Sequence, residues 1–124
     1  MNWWMAAGGL MASMCTAGHA IAGRKMFYHP IKSAITDRLH AGILTGMWHL
    51  ITIHFVLSAV ALFVLAARGG RGDAAAWLIA AQFAAYAAVY LVVSLRLGGA
   101  LKLFQWIPFG STAILTAVGA IIAP

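Results

Sequence analysis

Four long apolar runs, separated only by short clusters of charge, leave this chain few ways to fold. They extend from Trp3 to Ala22, Ala41 to Ala67, Ala74 to Leu95 and Leu103 to Ala123. A helix needs about 20 predominantly apolar residues to cross the roughly 30 Å hydrocarbon core of a bilayer, and each run is of that length. Of the 124 residues 64% are apolar and 8% charged, against roughly 45–50% and about 25% in soluble domains. So small a soluble chain has too little interior to hide that much apolar surface. The expectation is an all-α integral membrane four-helix bundle, one transmembrane domain over residues 1–124, with nothing outside the bilayer large enough to be a second domain.

Gly8, Gly9, Ser13, Thr16, Gly18 and His19 dilute the first run, but glycine is common in membrane helices, where it lets neighbours approach closely. A cleaved signal peptide would need a basic segment ahead of the apolar stretch. The leader Met1-Asn2-Trp3-Trp4 has none, so a retained helix is expected, with its two indoles at the interface. For the same reason Ala12-Ser13-Met14-Cys15 is a poor echo of a lipoprotein box. The single Cys15 can form no intramolecular disulfide.

Orientation follows from the basic residues, which concentrate in cytoplasmic loops. Arg24, Lys25, Lys32 and Arg38 follow the first run, and Arg96 and Lys102 precede the fourth. Only Arg68 and Arg71 lie between the second and third. Six against two predicts both termini outside. The connections Arg68 to Asp73 and Arg96 to Lys102 are short and glycine-rich, which makes sequential antiparallel neighbours, and hence an up-down-up-down order, the simplest topology. Between Gly23 and His40, Pro30 is expected to stop any continuous helix. Ile31, Ala34, Ile35 and Leu39 recur at helical spacing, with Lys32 and Arg38 off that face. That pattern predicts a short amphipathic helix lying at the interface between the first two spans. There is no internal repeat of the kind that builds transporters from inverted halves.

Polar residues inside the runs fall into stripes: Gln82, Tyr86, Tyr90 and Ser94 in the third, Thr45, His49 and Thr52 in the second, Gln105, Thr112 and Thr116 in the fourth, and Ser13, Thr16 and His19 in the first. A polar group in hydrocarbon must find a partner or water. The plainest expectation is that these are interhelical hydrogen bonds holding a bundle together.

Five histidines in 124 residues allow a sharper hypothesis. His19 lies five residues before Arg24 and His49 eight after Ala41, roughly 7 and 12 Å in from the same side at 1.5 Å per residue. Such a pair could clamp a noncovalent haem b, hold a transition metal or pass protons, with Thr52, Gln82 and Tyr86 as polar partners of a cofactor. No Cys-x-x-Cys-His attachment motif is present. His54 is a further candidate metal ligand. It stands about 140° around the helix from His49, so those two cannot ligate one ion from a regular helix. Arg24, Lys25, His29 and Lys32, with His40, could hold an anionic lipid headgroup or a quinone carbonyl, or simply anchor the positive-inside end.

Other classes find little support. There is no Gly-x-Ser-x-Gly elbow, His-Glu-x-x-His, phosphate-binding glycine loop or carboxylate pair. The formal charge of +6 suits anionic headgroups, and without a soluble basic domain no nucleic-acid role is expected. Small multidrug exporters have similar length but rely on a glutamate in the first span, whereas both acids here, Asp37 and Asp73, lie in loops. Phe109-Gly110-Ser111-Thr112 lacks the glycine and arginine surroundings of the fluoride channels.

His19-Ala20-Ile21-Ala22-Gly23-Arg24, His29-Pro30-Ile31, Trp48-His49-Leu50-Ile51-Thr52 and Gln105-Trp106-Ile107-Pro108 together resemble small four-helix membrane proteins of bacteria. The resemblance implies a fold and no activity, and the expected location is the bacterial inner membrane. It singles out His19, Arg24, Pro30, Trp48, His49 and Gln105. The expected role is an accessory, assembly or binding subunit, in a homo-oligomer or beside a larger membrane complex. The alternatives are a haem or metal redox component using His19 and His49, and a small oligomeric transporter or channel lined by the polar stripes.

Overall fold

Three short polar side chains set where the helices begin. Asn2, Asp37 and Asp73 each take extended backbone and accept a hydrogen bond from the N–H of Met5, His40 and Ala75 respectively, satisfying a donor that a helix start otherwise leaves unpaired. The computed structural model describes residues 1–122. Its elements are α1 (Trp3–Ala17), a π-helical segment (Gly18–Tyr28), α2 (His29–Ala34), α3 (Arg38–Ala67), α4 (Ala74–Arg96) and α5 (Trp106–Ile122). Backbone at both joints of the first three, Gly18 and His29, is right-handed helical, so they form one rod and the described residues form four. Ala123, the last residue of the fourth apolar run, lies outside the described residues.

Pro30 does not stop the first rod. It occupies the opening turn of α2, where the His29 N–H still bonds to the Arg24 carbonyl five residues back. Proline lacks a donor and crowds the preceding turn. At the change from π to α winding the hydrogen-bond register shifts anyway, so the missing N–H falls where it costs least. The chain leaves helical backbone only at Ile35 (φ −88°, ψ 115°), and the short helix expected as a separate interfacial element is the end of the first rod.

Packing is unequal among the rods. α1 lies against both α3 and α5, and α5 against α4, while α3 and α4 hardly approach by backbone. Small residues allow the close pairs. A Cβ added at Gly119 would sit 2.7 Å from Met5 Cγ and 3.0 Å from its backbone nitrogen, and one at Gly8 only 2.8 Å from Thr116 Oγ1. Where α3 and α4 stand apart, rings fill the space. Phe55, Phe83, Tyr86 and Phe109 form a cluster in which every pair has centroids 5.5 to 6.1 Å apart, within the range where aromatic pairs attract.

One end of the molecule is locked by Asn2. Its backbone N–H donates to the Ala66 carbonyl at 2.8 Å and its side-chain amide to Gly69 and Gly119 carbonyls at 3.1 and 2.8 Å. The start of α1 therefore holds the ends of α3 and α5. Gly72 N–H adds a bond to the Ala120 carbonyl, and the turn between α3 and α4 takes positive φ at Gly69, Gly70 and Gly72, which glycine adopts without steric cost.

The opposite end is open. Every buried residue of α3 lies between Phe55 and Ala66, so its first seventeen residues, Arg38 to His54, have no fully buried member. The π segment and α2 touch α3 and little else. α3 and α4 are long and apolar enough to cross a membrane, and α5 is a shorter apolar helix.

Candidate functional site

The open end is organised around Trp48. His19 stacks on its indole with centroids 4.0 Å apart and rings 20° from parallel. Tyr28 lies against the same indole at 5.1 Å, and a Cβ at Gly23 would come within 3.1 Å of it. With 3.6 residues per turn, His19 and Tyr28, nine residues apart, would face about 180° away from each other. The wider π turn, about 4.4 residues for its i to i+5 bonding, returns them to nearly the same side. The π winding is thus what lets one rod present both rings to one indole, and Gly23 makes room between them.

Polar groups of the site are mostly engaged. His19 Nε2 lies 3.2 Å from the Trp48 carbonyl. A carbonyl only accepts, so Nε2 carries the proton. Thr52 donates to the same carbonyl at 3.0 Å. The Tyr28 hydroxyl pairs with Thr45 Oγ1 at 2.9 Å and accepts from Lys32 Nζ at 3.0 Å. The hydrogen bond with Thr45, then the one from Lys32, hold the Tyr28 phenol below its ordinary pKa, and the charges of Lys32 and Arg24 add to this. Arg24 Nε donates to His29 Nε2 at 3.2 Å. Ala20, Arg24, Tyr28, Trp48, His49 and Thr52 enclose a cavity of about 240 Å³.

His19 and His49 are not brought to a common point. His19 faces Trp48 and Phe55, its Nε2 engaged, whereas the exposed His49 lines the cavity. Among the described residues no hydrogen bond or ring contact joins the two imidazoles, and no group of three or more His, Cys, Asp or Glu could hold one metal ion. His54 belongs elsewhere. The Gln82 amide donates to the Tyr86 hydroxyl at 2.6 Å and contacts His54 Nε2, making one bridge across the α3–α4 gap. Lys25 is exposed.

The polar stripes are not, in the main, interhelical. Ser13, Thr16, Thr45, Thr52 and Thr112 each donate to the carbonyl four residues back in their own helix, the usual alternative for a hydroxyl in a helix. Ser94 ties down the α4–α5 connection through Gly99 and Leu103, and Gln105 Oε1 and Thr116 Oγ1 are buried with no hydrogen-bond partner among the described residues. Sequence reasoning missed Tyr28 and Asn2. Tyr28 carried no signal at α-helical periodicity. Asn2 did carry one, as a short polar residue immediately before an apolar helix start.

Comparison with protein-family models, curated proteins and solved structures finds no match to this chain.

Proposed function

We propose that this chain is a small integral protein of the bacterial inner membrane, an up-down-up-down bundle with both termini outside, serving as a binding or accessory subunit. One observation carries the membrane reading: large aliphatic side chains point outward on all four rods while hydroxyls point in. Leu10, Leu57, Leu78, Val89 and Ile114 are 59–70% exposed, whereas Ser58, Ser94, Thr112 and Thr116 are at most 5% exposed. Water would penalise that arrangement and lipid favours it.

The binding reading is supported by the open end, where no residue in the first half of α3 is fully buried and the Trp48 cavity lies between α3 and the first rod. Its six basic residues, Arg24, Lys25, Lys32, Arg38, Arg96 and Lys102, also fit the cytoplasmic side. Alkaline carbonate washing of membranes from expressing cells tests insertion, the expected result being retention in the pellet. Release of the chain would overturn the membrane reading. In a Cys15→Ser background, Arg71→Cys should label with an impermeant maleimide from outside and Thr36→Cys only after lysis. The reverse pattern would invert the topology.

A further inference from the structure

The cavity beside Trp48 does not end at its polar walls. Ala20 lines it and also lines a second, more open groove of about 320 Å³ between α1 and α3. That groove is walled mainly by Ala17, Ile21, Val56, Val60 and Phe63. It follows the first rod from Ile21 in the π-helical segment back to Ser13 in α1, roughly 12 Å at the helical rise. A compact cavity edged by Arg24, His49 and Thr52 thus adjoins, at Ala20, an apolar groove along the outer face of two helices, which is the outline of a headgroup beside an acyl chain.

Charge defines the headgroup. Arg24 commits Nε to His29 and keeps the four N–H donors of its terminal nitrogens. Lys32 reaches the Tyr28 hydroxyl at the edge of the cavity. Neither cation has a carboxylate partner: among the described residues the one ion pair joins Asp37 to His40, and Asp73, the other acid, caps α4 at the far end. Guanidinium paired with ammonium, without counter-ions, suits a phosphate, whose oxygens accept from both. A basic pocket between membrane helices on the cytoplasmic side is a recurrent setting for such headgroups.

We propose that the Trp48 cavity and the adjoining groove bind one anionic glycerophospholipid, its phosphate at Arg24 and an acyl chain along Ala17, Ile21 and Val60. The inference rests on the membrane reading above. The test is native mass spectrometry of the full chain after reconstitution in an equimolar mixture of phosphatidylcholine and phosphatidylglycerol. The expected result is about tenfold preferential retention of one phosphatidylglycerol: phosphatidylcholine carries the same phosphate but sets a trimethylammonium beside Arg24 and Lys32, and a penalty of about 1.4 kcal/mol is a factor of ten.

Arg24→Gln should bring retention close to parity, and Arg68→Gln, at the opposite end, should leave the preference intact. Val60→Trp should obstruct the groove and lower retention of the lipid without weakening glycerol 3-phosphate binding. Circular dichroism of each variant confirms that its helices are intact. Equal retention of both lipids by the unaltered chain, or an undiminished preference in Arg24→Gln, overturns the proposal. Displacement of the lipid by inorganic phosphate, with Val60→Trp retaining lipid as before, overturns the lipid in favour of a soluble phosphate. Carbonate extraction of the same membranes separates the two failures: a chain that stays in the pellet but shows no preference sinks only this inference.

Discussion

The two ends of this molecule use the same residue types to opposite effect. Near Asn2 three rods converge. Glycines there bring backbones to contact, and one amide satisfies a carbonyl of the α3–α4 turn and one of α5. Near Trp48 two rods run side by side with an indole between them, and glycines such as Gly18, Gly42 and Gly46 face open space. The closed end gets its order from close approach. The open end depends on stacking and a few hydrogen bonds, so it should yield first to local opening and adapt most readily to a ligand.

Replacing glycine by alanine at each end should break this comparison most visibly if it is wrong. Gly119→Ala forces a methyl against Met5 and Asn2 and should cost about 1–3 kcal/mol by overpacking. Gly46→Ala meets nothing within 4 Å and should gain up to about 1 kcal/mol from helix propensity. In detergent the apparent unfolding midpoint should therefore fall for the first and hold or rise for the second. Shifts of equal sign would show that the two ends are not packed differently.

Asn2→Ala removes two side-chain bonds, one buried and one partly buried, and a helix cap together. Leaving the Gly69 and Gly119 carbonyls unpaired should cost about 1–3 kcal/mol. Hydrogen exchange should quicken at Met5, Gly72 and their neighbours and stay unchanged around Trp48. Loss of protection at both ends alike would mean that the ends are coupled.

How much of this was legible in the sequence differs between the ends. Four helices follow from four apolar runs, and three rods fall close to the expected limits: Arg38–Ala67, Ala74–Arg96 and Trp106–Ile122. The first runs twelve residues past Ala22, to Ala34, because apolar content marks the lipid-like part of a helix and not where its backbone stops. Periodicity at 3.6 residues carries no trace of a π segment, so His19 and Tyr28 looked unrelated. Depth alone paired His19 with His49, whereas in the structure His19 stacks on Trp48 with Nε2 at the Trp48 carbonyl and His49 lines the cavity. The hydroxyl stripes were legible as stripes, but not as bonds to their own helices, since sequence does not distinguish a neighbour's carbonyl from one four residues back.

The bridge between α3 and α4 sharpens the comparison at its boundary, where the rings of the closed end give way to the open one. Gln82→Leu keeps the side-chain volume and removes the link from His54 to Tyr86. On the proposed membrane reading such a polar contact is worth about 0.6 kcal/mol, so the unfolding midpoint should fall slightly. Exchange should quicken at His54 and Tyr86 while Asn2 and Gly119 keep their protection. A loss above about 2 kcal/mol would mean that this bridge, and not the ring cluster, holds the two helices together.

The smallest effect is expected from acid, at the start of α3. Asp37 accepts from the His40 backbone N–H and from its imidazole, and these bonds, the backbone one first, hold its carboxyl below the ordinary value. A carboxyl whose pKa is depressed by folding contributes stability that is complete above its unfolded value, about 3.9, and disappears as pH falls through the lower folded value. Protection of the His40 amide, normalised to its unstructured exchange rate, should therefore be constant from neutral pH down to about 4 and decline below that. The amides of Met5 and Phe63 should show no matching decline, because no titrating cap supports them. Asp37→Asn keeps a side chain that caps helices equally well but cannot ionise, so its His40 protection should lose the pH dependence. A decline that persists in Asp37→Asn would assign the acid sensitivity of the open end to another group and leave the cap as a bystander.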